Sequence, residues 1–98
     1  MSQLRASATA PTAFADRYLQ QLCKHFAHKI PAKAENGEGR IEFPFGVADL
    51  RATAAALHLS VVATTLDDLK RMQKVVEDHL ARFAFRESLA GLEWNPKL

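Results

Sequence analysis

The spacing of apolar residues changes three times along this chain, and those changes constrain the fold more than any other feature. Apolar and polar residues alternate from Leu4 to Ala10, then apolar residues recur every three or four positions from Phe14 to Ile30. Alternation returns after Pro31, and the wider spacing returns after Thr65. Alternation is typical of a strand with one buried face, and the wider spacing of an amphipathic helix.

Two helices are predicted. The first covers Phe14 to Ile30 and ends at Pro31, which cannot continue a helix. The second begins after Thr65, a suitable N-cap residue followed by acidic residues in the first turn. Their apolar stripes are Phe14, Tyr18, Leu19, Leu22, Phe26 and Ile30 in the first helix, and Leu66, Leu69, Met72, Val76, Leu80 and Phe83 in the second.

Four strands are predicted between the helices. Asn36-Gly37, followed by Gly39, supplies the positive-φ positions of a hairpin turn. Pro44 cannot donate to a ladder, so its strand lies at an edge, carries a bulge or ends there. The segment Ala48–Leu57 is ambiguous because its alanines favour helix, whereas the residues after it alternate. We interpret it as two strands joined near residues 54 and 55.

These elements predict an α+β fold in the order strand, helix, four strands, helix. Its five strands form one antiparallel sheet, and both helices cover the same face. The chain of 98 residues has the length of one domain, so residues 1–98 are interpreted as a single domain. The second sheet face is then left open to solvent.

Composition argues against several function classes. The net charge of +2, without a run of basic residues, predicts no nucleic-acid partner. No apolar stretch approaches the ~20 residues of a membrane span, so no membrane partner is predicted. Cys23 is the single cysteine, which fits a reducing compartment and predicts a cytoplasmic protein. No glycine-rich phosphate loop precedes a helix, and no cofactor is predicted.

Histidines offer one candidate site. His25 and His28 share one face of the first helix, and His79 lies at the edge of the second stripe, so it approaches them if the helices pack side by side. Zinc or non-haem iron requires at least three protein ligands. A metal-dependent or acid-base enzyme that uses these histidines is one hypothesis. Cys23 lies on the opposite side of its helix and is predicted to be a packed, unreactive thiol.

Cationic and hydrogen-bonding side chains suggest a second hypothesis. They lie along one border of the first helix and at the end of the second, where they would form an anion-binding cleft if the two borders face each other. The predicted ligand-binding residues are Arg17, Gln21, His25, His28, Lys29, His79, Arg82 and Arg86. No catalytic residue and no metal ligand is assigned.

The open sheet face suggests a third hypothesis, an interaction module that forms a homodimer through this surface. Its side chains are mixed in charge, as is common on a solvated face. The residues predicted to point outward are Arg5, Ser7, Arg40, Glu42, Asp49, Arg51, His58 and Ser60. A monomer stays the alternative.

The stretches "RYLQQLCKHFAHK", "GRIEFPFG" and "HLARFAFRE", followed by "LEW", resemble a small, mostly bacterial family known as domain of unknown function 2218. The resemblance covers nearly the whole chain and implies a connection to siderophore-interacting proteins, hence to iron. It favours the second hypothesis, a small non-catalytic binding or accessory module that takes an anionic small molecule or ferric chelate. A siderophore-interacting protein is the partner that the resemblance implies.

Overall fold

The computed structural model describes residues 3–84, 87 and 92–96. It has the predicted order of elements and confirms the α+β fold, with five antiparallel strands and two helices. The elements are β1 (Leu4–Pro11), α1 (Ala15–Phe26), β2 (Ala32–Glu35), β3 (Glu38–Phe43), β4 (Gly46–Ala52), β5 (Ala56–Ala63) and α2 (Leu66–Phe83).

The strands form one sheet in the order β1-β5-β4-β3-β2, so β4 is central and β1 and β2 are the edges. Both helices pack on the same face, α1 mainly over β2, β3 and β4, and α2 over β5, β4 and β1. The inward residues of β1, β5 and most of β3 and β4 are buried, those of the edge strand β2 are half-buried, and the other face is open as predicted. The largest fully buried side chains are Leu19, Leu22, Ile41, Leu57, Leu69, Met72, Leu80, Val61 and Val76.

Local turn chemistry explains the hairpins. Asn36 and Gly37 have φ angles of 54° and 76°, the two positive values that a tight hairpin requires. Pro44 follows the last residue of β3, so the strand ends there. In the ambiguous alanine-rich segment, β4 and β5 are joined by residues 53–55, and the hydroxyl of Thr53 accepts from the Ala56 amide at 3.0 Å. The two-strand interpretation is therefore confirmed.

Helix α1 is shorter than predicted, because it ends at Phe26 rather than at Ile30. The Lys29 amide donates to the Phe26 carbonyl at 3.0 Å, a tight turn that replaces the helical pattern. Ile30 precedes a proline, a position that disfavours the helical conformation. The prediction that His28 continues the helix face of His25 was therefore wrong, since His28 lies in the turn after α1.

Residues 94 and 95, near the end of the described chain, form hydrogen bonds to the helix layer and to the sheet. Trp94 is buried, and its indole N–H donates to Glu77 of α2 at 2.9 Å. Asn95 exchanges two backbone hydrogen bonds with Ser7, which extends the sheet beyond β1 by one bridge. Among the described residues, no helix is long and apolar enough to cross a membrane.

Gly39 is required by close packing rather than by its φ angle. A Cβ atom there would lie 2.8 Å from Cys23 Sγ and 3.2 Å from Leu19 Cδ2. We expect Gly39→Ala to lower the free energy of unfolding by about 1–3 kcal/mol through overpacking. Cys23→Ala removes the nearer atom, so the double variant should lose less stability than the two single variants together. Urea denaturation tests this, and strictly additive losses would contradict it.

Candidate anion-binding site

Two predicted site residues from different helices meet at the border of the helix layer. His25 lies in the last turn of α1, and its ring centroid is 5.0 Å from that of His79 on α2. The Nδ1 atom of His79 lies 2.7 Å from the Val75 carbonyl oxygen. Because a carbonyl oxygen only accepts, His79 Nδ1 carries a proton and donates it to that bond. Its Nε2 atom is then the nitrogen left for another partner.

Aromatic rings surround this histidine pair. The centroid of His25 lies 5.0 Å from that of Phe26 and 5.8 Å from that of Phe83, both in edge-on arrangements. The ring centroid of Phe26 lies 4.7 Å from that of His79 and 4.9 Å from that of Phe43. Phe26, Phe43 and Phe83 are half-buried and pack against the core. His25 is exposed and His79 is half-buried, so both imidazoles lie beside an apolar surface at the edge of the helix layer.

The electrostatic environment of the pair is positive. Burial lowers the pKa of His25 below its ordinary value of 6.5, and the positive charges of His79, Arg82, His28 and Lys29 lower it further. Each charged neighbour that shifts this pKa is cationic. Such an arrangement disfavours protonation of His25. We name His25, His28, Lys29, His79 and Arg82 the cationic cluster.

The other predicted residues do not join this cluster. Arg17 lies eight residues before His25, about 12 Å along the helix axis. Its guanidinium carbon sits 5.3 Å from the centroid of Phe14. Gln21 is exposed one turn before His25. The prediction for Arg86 falls outside the described residues.

Within residues 3–84, 87 and 92–96, no three His, Cys, Asp or Glu side chains are grouped so that they could hold a metal ion. The metal-dependent hypothesis stays a prediction without a ligand set. Cys23 is buried, and burial raises the pKa of its thiol, while a hydrogen bond with the Arg40 backbone acts weakly in the opposite direction. A thiol with a raised pKa is a poor nucleophile, as its position opposite His25 predicted.

A second polar cluster, which was not predicted from the sequence, joins the start of α1 to Glu87, beyond the end of α2. The carboxylate of Glu87 accepts hydrogen bonds from the hydroxyls of Thr12, at 2.8 and 2.9 Å, and of Tyr18. Burial raises the pKa of Tyr18, and the bond to Glu87 and its negative charge raise it further. Glu87 is 75 residues from Thr12, so no local sequence pattern indicates the contact. We name these residues the Thr12–Tyr18–Glu87 cluster.

A shallow cavity of about 430 Å³ lies on the open sheet face. His58 lines this cavity and lies on the open sheet face, as predicted, and its Nδ1 atom lies 3.2 Å from the hydroxyl of Thr9. The polar residues of the cavity come from β1, β3, β4 and β5, and they are Ser7, Thr9, Glu38, Asp49, Arg51, His58 and Ser60. This face is therefore separate from the cationic cluster.

Comparisons with known proteins agree with this fold. Residues 7–95 match the model of a family described as "Uncharacterized protein conserved in bacteria (DUF2218)". The NMR structure of PA4090 from Pseudomonas aeruginosa is similar, with a TM-score of 0.80 and 35% sequence identity. The similarity covers 94% of this chain and 95% of that one. No curated protein matches the chain.

Proposed function

This chain belongs to the DUF2218 family of bacterial proteins, and we propose that it is a small non-catalytic module that binds an anionic small molecule at the cationic cluster. The observation that carries the proposal is the contact between His25 and His79, with ring centroids 5.0 Å apart. That contact brings the cationic borders of the two helices together.

Among the described residues, no acidic side chain forms an ion pair with a member of the cationic cluster. The charges that lower the pKa of His25 are all positive, and the His79 ring is oriented by its bond to the Val75 carbonyl. An arginine fork and imidazole N–H groups form charge-assisted hydrogen bonds to carboxylate, phosphate or phenolate oxygens. An anion would also relieve the repulsion between the clustered cations.

The finer proposal concerns the class of anion. Half-buried Phe26 and Phe83 lie beside the imidazole of His25, so a ligand with a flat aromatic ring next to its anionic oxygens fits better than a compact inorganic anion. Ferric chelates with catecholate arms combine both features. The resemblance to domains connected with siderophore-interacting proteins supports the same class, and it makes such a protein the proposed partner.

We expect binding of a ferric catecholate chelate to tighten as the pH falls from about 7.5 to about 5.5. The pKa of His25 is depressed in the free protein, and a bound anion stabilises the imidazolium and raises that pKa. A group that gains a proton on binding makes the complex more stable at the lower pH. Isothermal titration calorimetry at several pH values, with a chelate that stays intact over this range, measures the change.

Variants locate the site. His25→Ala and Arg82→Ala should each weaken binding about tenfold, since each removes a charge-assisted hydrogen bond. Lys24→Ala is the matched control, because Lys24 is an exposed cation in the same turn of α1 that does not shift the pKa of His25. If Arg82→Ala and Lys24→Ala weaken binding equally, the loss of affinity reflects only the change in net charge and not a contact at this site. The proposal would be contradicted if calorimetry detected no binding of a ferric catecholate, of citrate or of phosphate.

A further inference from the structure

The open face of the sheet carries two adjacent rows of polar side chains that run across all five strands. Each residue of a row is the cross-strand partner of the next residue in that row. The first row, named row A, is Lys33, Arg40, Asp49, Ser60 and Ser7. The second, named row B, is Glu35, Glu38, Arg51, His58 and Thr9.

Each charged residue of row A has a residue of opposite charge two positions away on its own strand, in row B. Lys33 is matched by Glu35 on β2, Arg40 by Glu38 on β3, and Asp49 by Arg51 on β4. Residues two positions apart on a strand point to the same face, about 7 Å from each other. The charge pattern therefore changes sign across a line drawn between the rows.

The same arrangement places like charges directly opposite each other within the β2–β3 hairpin. Lys33 is the cross-strand partner of Arg40, and Glu35 is the partner of Glu38. Like charges in such positions repel and destabilise a hairpin. Within the described part of the chain, Arg40 is relieved by an ion pair with Asp49 at 3.3 Å, and Glu38 by its oppositely charged cross-strand partner Arg51. Lys33 and Glu35, on the edge strand, form no ion pair there. The isolated hairpin face thus carries charges that a suitable partner would neutralise.

A second copy of this chain is such a partner. A two-fold axis that lies in the interface, along the line between the rows, places row B of one protomer over row A of the other. Glu35 then faces Lys33, Glu38 faces Arg40, and Arg51 faces Asp49, each pair occurring twice. The strands of the two sheets lie aligned, which is a common packing of sheets. The central strand β4 lies closest to the middle of this contact.

From this pattern we infer that the open face is a homodimer interface, with row A of each protomer paired to row B of its partner. The paired charges are exposed and the face holds a cavity of about 430 Å³, so the interface is polar and retains water. Contacts of this kind are weak and weaken further when salt screens them. The dimer is therefore expected at high protein concentration and low ionic strength.

Charge reversal on β2 tests the pairing. In the monomer, Lys33→Glu places an acid opposite Arg40, and Glu35→Lys places a base opposite Glu38, so neither variant should unfold more easily than the parent chain. In the dimer, each variant replaces two attractions with two repulsions, and we expect the dissociation constant to rise on the order of tenfold. Sedimentation velocity over a concentration series up to about 1 mM measures it.

A mixture of the two variants provides the decisive comparison. In the heterodimer of Lys33→Glu with Glu35→Lys, every acid on β2 faces a lysine, so mixing should restore association to about the level of the parent chain. Lys70→Glu, the same charge change on an exposed position of α2, should have little effect. A parent chain that stays monomeric at about 1 mM in low salt would overturn the inference. So would variants that associate as strongly alone as in the mixture.

Discussion

Replacing Gly46 with alanine is expected to lower the free energy of unfolding by about 2–4 kcal/mol. A Cβ atom at this position would lie 2.5 Å from the carbonyl oxygen of Val62 and 2.8 Å from Cγ of Met72. Val62 belongs to β5, which is paired to β4, and Met72 is fully buried in the core. To relieve these two close contacts, β5 would have to move away from β4 and α2 would have to move away from the sheet.

Urea denaturation followed by circular dichroism measures this loss, and Gly37→Ala is the matched control. Gly37 has a φ angle of 76°, but an added Cβ would meet nothing nearer than 3.5 Å. Its replacement should cost only backbone strain, about 1 kcal/mol. Met72→Ala should not rescue Gly46→Ala, because the backbone oxygen stays in place. A Gly46→Ala variant as stable as the Gly37→Ala variant would contradict the packing argument.

Removal of the Glu87 carboxylate is the second change with a large expected effect. Glu87→Ala leaves the buried hydroxyls of Thr12 and Tyr18 without their acceptor. A buried donor without a partner costs about 1–3 kcal/mol, so we expect a loss of about 2–6 kcal/mol for the pair. The hydroxyl of Thr12 also accepts from the Phe14 amide at 3.0 Å, so the start of α1 should loosen as well.

A double-mutant cycle distinguishes this cluster from simple packing. Tyr18→Phe removes the donor together with its need for an acceptor, so Tyr18→Phe combined with Glu87→Ala should cost less than the sum of the single changes. Glu87→Gln keeps one acceptor oxygen and should cost less than Glu87→Ala. Chemical denaturation of the four variants gives the coupling free energy. A coupling of zero would mean that the hydroxyls find other acceptors, and the cluster would not anchor the chain end.

The fold could be predicted from the sequence because its signals are local. Thr65 accepts from the Asp68 amide at 3.1 Å as an N-cap, and Asn36-Gly37 forms the hairpin turn, so each boundary depends on residues close in the chain. The end of α1 was predicted four residues too late, because Pro31 and the apolar Ile30 gave no sign of the tight turn that begins after Phe26.

The candidate site was less predictable, because its members come from different elements. Helical periodicity placed His25 and His79 at the borders of their stripes, but only the packing of α1 against α2 determines that the two rings meet. The Thr12–Tyr18–Glu87 cluster has no periodic signature at all, since Glu87 and Tyr18 are 69 residues apart. Long-range polar contacts depend on the finished fold, and a single sequence does not specify them locally.

The inward face of β1 is lined by alanines, and this limits how sequences with this fold can diverge. Ala6, Ala8 and Ala10 are buried beneath the helix layer, where α2 packs on β1. A larger residue at any of them would push α2 away from the sheet. The only smaller residue is glycine, which is less favourable than alanine within a strand. The stripe of α2 has more freedom, because Leu, Met and Val can exchange while their total volume is kept. Variation should therefore accumulate on the helix side of this contact, while the strand side stays restricted to small residues.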